Sequence, residues 1–145
     1  MDIQELSDRL ELSALVDQIS ILADKKDFSS QVQQFTEDAI MEITVDGKII
    51  MQLQGRQAMT EAFKEFNRNF EVAFHLNGQH MVFINNEDAE GTLYSQITTI
   101  SIENGVKVKS TIGAIYHDKY IRVNGKWLLS ERKGDFAWQD KRALS

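Results

Sequence analysis

The sequence predicts an α+β fold, with helices lying over the concave side of one long, strongly curved antiparallel sheet and enclosing a pocket. Three observations lead there. Helical periodicity is confined to the first half of the chain, apart from one early hairpin. Two-residue turns of the Asp-Gly and Asn-Gly kind, at Asp46-Gly47 and Asn124-Gly125, mark tight hairpins. The second half is built from extended runs of 13 to 18 residues, against about 5 to 6 for an ordinary strand. Strands that long must twist and coil, with bends at bulges or glycines such as Gly91 and Gly113.

The first element is a helix from about residue 4 to residue 24. Leu12, Leu15, Val16, Ile19, Leu22 and Ala23 recur at helical spacing and form one apolar stripe. A weaker stripe of Ile3, Leu6, Leu10 and Ile21 predicts a second covering, by another element or another subunit. Asp27 is placed to cap a short second helix running through Val32 to Phe35. A third helix spans Arg56 to Phe70, with Met59, Phe63, Phe66 and Phe70 as its buried edge. The strands are Ala39–Val45, Lys48–Leu53, Glu71–Ile84, Ala89–Ile102, Val106–Val123 and Lys126 to about Trp138. Helices early and an antiparallel meander late fit an α+β layout rather than alternating βαβ units. No repeat or linker divides residues 1–145, so a single domain is expected.

Composition narrows the function. A net charge of -6 with no long Lys/Arg cluster argues against a nucleic-acid partner. The chain has no cysteine, which excludes disulfides, thiolate nucleophiles and Cys-based metal sites. No run approaches the roughly 18 apolar residues of a membrane span, and the acidic start does not read as a signal peptide. A cytoplasmic protein without membrane contact is expected. His75, His80 and His117 lie at no metal-ligand spacing, and no phosphate-binding glycine loop follows a strand. The expectation is therefore chemistry without metal or cofactor.

His75 is the informative histidine. Alternation puts it on one face with Ala73 and Asn77, while Val72, Phe74 and Leu76 point the other way. An imidazole on the wall of a curved sheet can act as a base when a carboxylate orients it. Spacing alone equally fits a surface histidine or one bonded to a neighbouring strand. Asp24 is similarly open, between a solvated helix end and a partner for an imidazole. Tyr94 and Tyr116 read as core or pocket-lining phenols able to polarise a carbonyl or leaving group.

An ordered set of motifs then carries a resemblance. Ala23-Asp24-Lys25-Lys26-Asp27-Phe28, Phe35-Thr36-Glu37-Asp38-Ala39, Gly55 before a helix, Phe74-His75-Leu76-Asn77-Gly78, and Asp118-Lys119-Tyr120 through Asn124-Gly125-Lys126-Trp127 together resemble the SnoaL-like domain family of the nuclear transport factor 2-like, cystatin-like superfamily. The resemblance spans almost the whole chain and implies a cone-shaped fold. It lies nearest the branch of scytalone dehydratase, bile-acid dehydratases and a dehydrochlorinase, which are cofactor-free lyases. Asp24 matches that branch's aspartate at the end of the first helix, and His75 its histidine on the first long strand. The match implies that Asp24 orients His75 and that His75 takes a proton from carbon. The chain also departs from the pattern. Ala23 and Ile19 stand where relatives carry tyrosines, Ile100 falls near a second histidine, and Tyr116 near an asparagine.

Two functions follow as expectations. One is a lyase or isomerase with catalytic His75 and Asp24, lined by Tyr94, Tyr116, Ile19, Leu22, Phe63, Phe66, Ile100 and Phe136, and taking an apolar or ring-containing ligand. The other is a non-catalytic ligand carrier or interaction module of the same fold. If Tyr94, Gln96 and Thr98 face the pocket, Leu93 and Ile97 form an apolar outer sheet face. The family resemblance then implies a homodimer or homotrimer through that face.

Overall fold

The computed structural model describes residues 1–144. Helix α1 spans Ile3–Asp24, its free N-terminal amides capped by the Asp2 carboxylate, which accepts from the Glu5 amide. Its main stripe is buried as the periodicity predicts, whereas Ile3, Leu6, Leu10 and Ile21 remain exposed on the single chain. Asp27 does cap a second helix, but α2 is one turn, Phe28–Gln31, followed by a 3-10 turn over Val32–Gln34. Phe35 is already strand. Helix α3 runs Arg56–Asn67 and stops short of Phe70, which opens a strand.

The strands are β1 Phe35–Val45, β2 Lys48–Gln54, β3 Phe70–Asn85, β4 Asp88–Glu103, β5 Val106–Val123 and β6 Lys126–Ala143. They form one sheet in the order β2-β1-β6-β5-β4-β3. One junction departs from the predicted all-antiparallel arrangement: β1 and β6 are parallel, with Ile40 opposite Glu131 and Ile43 opposite Gly134. Chain direction explains it. Helix α3 carries the chain from β2 at one edge to β3 at the other, and the four-strand meander returns to dock beside β1. The strand-to-strand turns hold residues at positive φ at Asp46-Gly47, Asn104-Gly105 and Asn124-Gly125, the pattern of type I′ hairpins.

Bulges re-aim the long strands. In β3 the register to β4 shifts between Asn77 and His80, so the inward face passes from Ala73, His75 and Asn77 to His80, Val82 and Ile84. In β5 the expected bend at Gly113 coincides with a register shift against β6, and the Trp138 indole lies over that glycine. Gly91 marks no shift. Its bare Cα instead admits the Tyr120 ring, which a Cβ would meet at 3.1 Å.

The core lies between α1 and the concave face, around Leu12, Phe35, Leu93, Tyr120, Trp127 and Leu129. At its end, buried Asp8 accepts two bonds from the Arg122 guanidinium (2.8 and 3.0 Å) and one from the Trp127 indole (3.1 Å). The Arg122 hydrogen bonds outweigh desolvation and hold the Asp8 carboxyl at about 2, below its ordinary 3.8. Because the folded-state value is the lower one, this ion pair adds stability above about pH 4 and loses it as pH falls toward 2. Thermal unfolding across that window should fall more steeply for the wild type than for Asp8→Asn. At neutral pH, Asp8→Ala should cost about 3 kcal/mol in chemical denaturation, because it removes the buried acceptor shared by the Arg122 guanidinium and the Trp127 indole.

Candidate functional site

The concave face and the helices enclose a cavity of about 330 Å³, at the lower end of the roughly 300–1,000 Å³ usual for small-molecule sites. Its walls are mostly apolar, with Ile19 and Ala23 from α1, Phe63 and Phe66 from α3, and Ile97, Ile112 and Phe136 from the sheet. Its open end carries polar residues of three strand ends, including Lys141 paired to Glu103 at 3.2 Å and Gln139 bonded to Ser110 at 2.8 Å.

His75 sits on this wall, and α1 delivers Asp24 to it. Strand β3 is a sheet edge, so alternate backbone groups lack a strand partner. The carboxylate fills that gap, accepting the His75 backbone N–H at both oxygens (3.1 Å each) and the imidazole Nδ1–H at 2.6 Å. A carboxylate only accepts, so Nδ1 donates, and in the neutral imidazole Nε2 is the nitrogen that keeps its lone pair. Asp24 is the last residue of α1, at the negative end of its dipole, where a carboxylate is unfavourable without such donors. One turn earlier, Ser20 meets Asn77 (3.1 Å), and Asn77 also bonds Asp17 (3.1 Å) and Ser95 (2.9 Å). Two rungs, Asp24–His75 and Ser20–Asn77, thus clamp the helix to the strand. Arg9 adds a third tie, donating to the Val82 carbonyl at 3.2 Å.

Opposite in character is a buried cation. Arg132 is 4% exposed yet lines the cavity. Nε and Nη2 grip both oxygens of buried Asp118 at 2.8 Å, and Nη1 bonds to no described residue. Coulombic attraction and hydrogen bonding to Asp118 outweigh desolvation and raise the Arg132 pKa, so the guanidinium stays charged. It lies 4.3 Å from the centre of the Tyr116 ring, a cation–π contact. Burial raises the Tyr116 pKa and keeps the phenol protonated. Gly134 makes room for that ring, since a Cβ there would meet it at 2.7 Å. Behind Asp118, the Tyr120 hydroxyl donates at 2.8 Å and contacts His80 at 3.0 Å. Among the described residues no three His, Asp or Glu side chains are grouped closely enough to hold a metal ion.

The residues singled out in the sequence divide as follows. His75, Tyr116, Ile19, Phe63, Phe66 and Phe136 line the cavity, and Asp24 bonds His75 from behind. Leu22 is buried in the core and does not line it. Tyr94 and Ile100 do not line it either. They lie on the convex face, and Tyr94 is 46% exposed. Leu93 and Ile97, expected outside, are buried inside. Cross-strand partners share a face, and Ile97 pairs with His75, so the register to β3 sets the phase of β4 against the polarity of Tyr94 and Gln96. Arg132 and Gln31, also on the cavity wall, carried no signal in the sequence. Glu131-Arg132-Lys133 reads as a solvated charge run.

These features define a nuclear transport factor 2-like α+β cone around a largely apolar cavity. The chain belongs to the SnoaL-like domain family, whose model matches residues 4–133. No curated protein matches it in sequence. Among solved structures it is similar to a candidate scytalone dehydratase from Novosphingobium aromaticivorans, at 15% identity and a TM-score of 0.84 over 100% of this chain and 94% of that one. It is also similar to a hexachlorocyclohexane dehydrochlorinase from Novosphingobium barchaimii (20% identity, TM-score 0.80, 100% and 95% covered). A third is an NTF2-like protein with a cystatin-like fold from Novosphingobium aromaticivorans (20%, 0.76, 92% and 84%).

Replacing Asp118 with alanine leaves the Arg132 charge buried and unpaired. Denaturant unfolding of Asp118→Ala should therefore register a loss of about 3 to 5 kcal/mol.

Proposed function

We propose that the protein is a cofactor-independent lyase that removes a proton from carbon and expels a leaving group from the neighbouring carbon. The observation that carries this reading is the 2.6 Å bond from His75 Nδ1 to Asp24 on the wall of an apolar cavity. His75 Nε2 takes the proton, the C–H electron pair becomes the new double bond, and the leaving group departs with its own pair. It leaves as halide, or as hydroxide that regains the proton and becomes water. The Asp24 charge and the negative end of α1 stabilise the imidazolium as it forms. Arg132 Nη1 and the Tyr116 phenol supply donors for charge gathering on a substrate oxygen or on the leaving group. That is the half of the chemistry left without tyrosines at Ala23 and Ile19. The dehydratase and dehydrochlorinase names of two structural neighbours are consistent with elimination.

A second reading is a small-ligand carrier without turnover. It is favoured by Ile19 and Ala23, which turn the wall beside His75 apolar. The two separate in one experiment: β-hydroxy ketones and chlorinated cyclohexanes are offered to the protein while double-bond absorbance and halide release are followed. His75→Ala and Asp24→Asn should each lower turnover by at least about 10²-fold. Arg132→Met, made together with Asp118→Asn so that no buried carboxylate is left unpaired, should lower it as well, with the fold checked by circular dichroism. Ligand binding without turnover in the wild type, or full activity in His75→Ala, would overturn the lyase reading.

We propose further that the convex sheet face is covered by another copy of the chain, in a homodimer or homotrimer. Val72, Phe74 and Leu76 on β3 stand out from it, the last two 55% and 57% exposed, and Met81 and Phe83 continue the strip beyond the bulge. An apolar strip on a sheet edge also invites uncontrolled pairing unless it is covered. Sedimentation of the wild type should give a dimer or trimer and Phe74→Glu a monomer; a wild-type monomer would refute it.

A further inference from the structure

The bulge in β3 turns inward a side chain that strict alternation would leave outside. Ala73, His75 and Asn77 face the concave side, and the register shift after Asn77 passes that face to His80 in place of Gln79. There the imidazole Nε2 meets the Tyr120 hydroxyl at 3.0 Å, with the two rings edge to face. The bonding directions follow from the groups themselves. Burial raises the Tyr120 pKa, so the phenol keeps its one proton. Asp118 can only accept, so that proton goes to the carboxylate at 2.8 Å, and the phenol oxygen accepts from His80 Nε2–H. The chain continues from Asp118 to Arg132, whose Nη1 is neither bonded to a described residue nor sealed from the cavity. His80 itself does not line the cavity, so any effect it has there passes through this chain.

Resting on the reading of the cavity as the ligand site, we propose that His80 is a positioning residue through which pH governs the binding of a carboxylate at Arg132. Neutral or charged, His80 keeps the Nε2–H that Tyr120 requires, and only Nδ1 gains a proton. Protonation therefore leaves the bonds of the chain in place and adds a positive charge behind the ion pair. The groups facing that imidazole are Asp17 from α1, Asp118 and Tyr120 from β5, and Arg132 from β6. Burial lowers the His80 pKa, the Asp118 and Asp17 charges oppose the shift, and the Arg132 charge adds to it. A carboxylate on Nη1 offsets the guanidinium and leaves the Asp118 charge to act on His80. Linkage makes this reciprocal: an anion that favours the charged imidazole is favoured by it to the same factor. The ligand class is an apolar acid, with its body against the apolar walls and its carboxylate on Arg132.

The test uses benzoate as the probe and residue-resolved NMR of the three histidines between about pH 5 and 7.5, where a carboxylic acid stays ionised. In the wild type, saturating benzoate should move the His80 titration midpoint up and leave that of exposed His117 in place. Benzoate affinity is then measured in His75→Gln, which removes the other imidazole on the cavity wall. It should tighten at least about threefold as pH falls through the His80 midpoint. The double variant His75→Gln, His80→Gln keeps an N–H donor for Tyr120 but no titrating ring, and its affinity should not change with pH. A purely structural His80 would show neither effect. The proposal is overturned by a wild type that does not bind benzoate, by a His80 midpoint indifferent to it, or by a pH dependence that survives in the double variant. The lyase reading fails separately, because this linkage is read without turnover and should persist in a protein that turns nothing over.

Discussion

The Asp24 carboxylate is the tie on which the arrangement depends. Strand β3 is an open edge, and an open edge leaves backbone N–H groups without partners. By accepting the His75 amide and the His75 ring together, Asp24 satisfies one of those edge N–H groups, orients the imidazole and anchors the end of α1. The same carboxylate is thus a structural cap and a part of the candidate site. Ser20 and Asn77 repeat the tie one turn along, so the helix cannot roll over the sheet without breaking both rungs. The cavity wall formed by Ile19 and Ala23 is held in place by the same contacts.

The two charged centres of the cavity are built differently. Asp24 and His75 are partly exposed and lie at the sheet edge, within reach of water. Arg132 and Asp118 are sealed within the sheet, where their mutual bonds must offset the desolvation of both. The buried pair fixes a positive charge beneath Tyr116, and Gly134 leaves that ring the space to lie flat over it. The polarity of the cavity is therefore built into the sheet itself, with the cation on β6 and the imidazole three strands away on β3.

Much of this architecture is legible in the sequence, and the remainder is obscure for physical reasons. Periodicity placed the stripe of α1, and glycine turns placed the hairpins, because both signals are local. Alternation from Ala73 to Asn77 gave the face of His75, since β3 there separates polar from apolar cleanly. Strand β4 does not: Leu93-Tyr94-Ser95-Gln96-Ile97 mixes both kinds, and its phase is set by pairing to a strand elsewhere in the chain. Hence Tyr94 and Ile100 fell on the wrong side. The parallel junction of β1 and β6 is a consequence of whole-chain routing that no local signal encodes. Arg132 and Gln31 are polar by type and buried only through tertiary covering, which composition does not register.

The hairpin turns have a consequence for how a ligand comes and goes. Every join between consecutive strands within a hairpin is two residues long, from Asp46-Gly47 to Asn124-Gly125. Segments so short, pinned at positive φ, have no slack with which to fold over a bound molecule. On the proposed reading of the cavity as a ligand site, selection then rests on the standing shape of its walls, and a ligand that fits them passes through the open end at Glu103, Gln139 and Lys141. A ligand too bulky for the resting walls meets a helix that must unpack, and exchange slows with size rather than with loop motion.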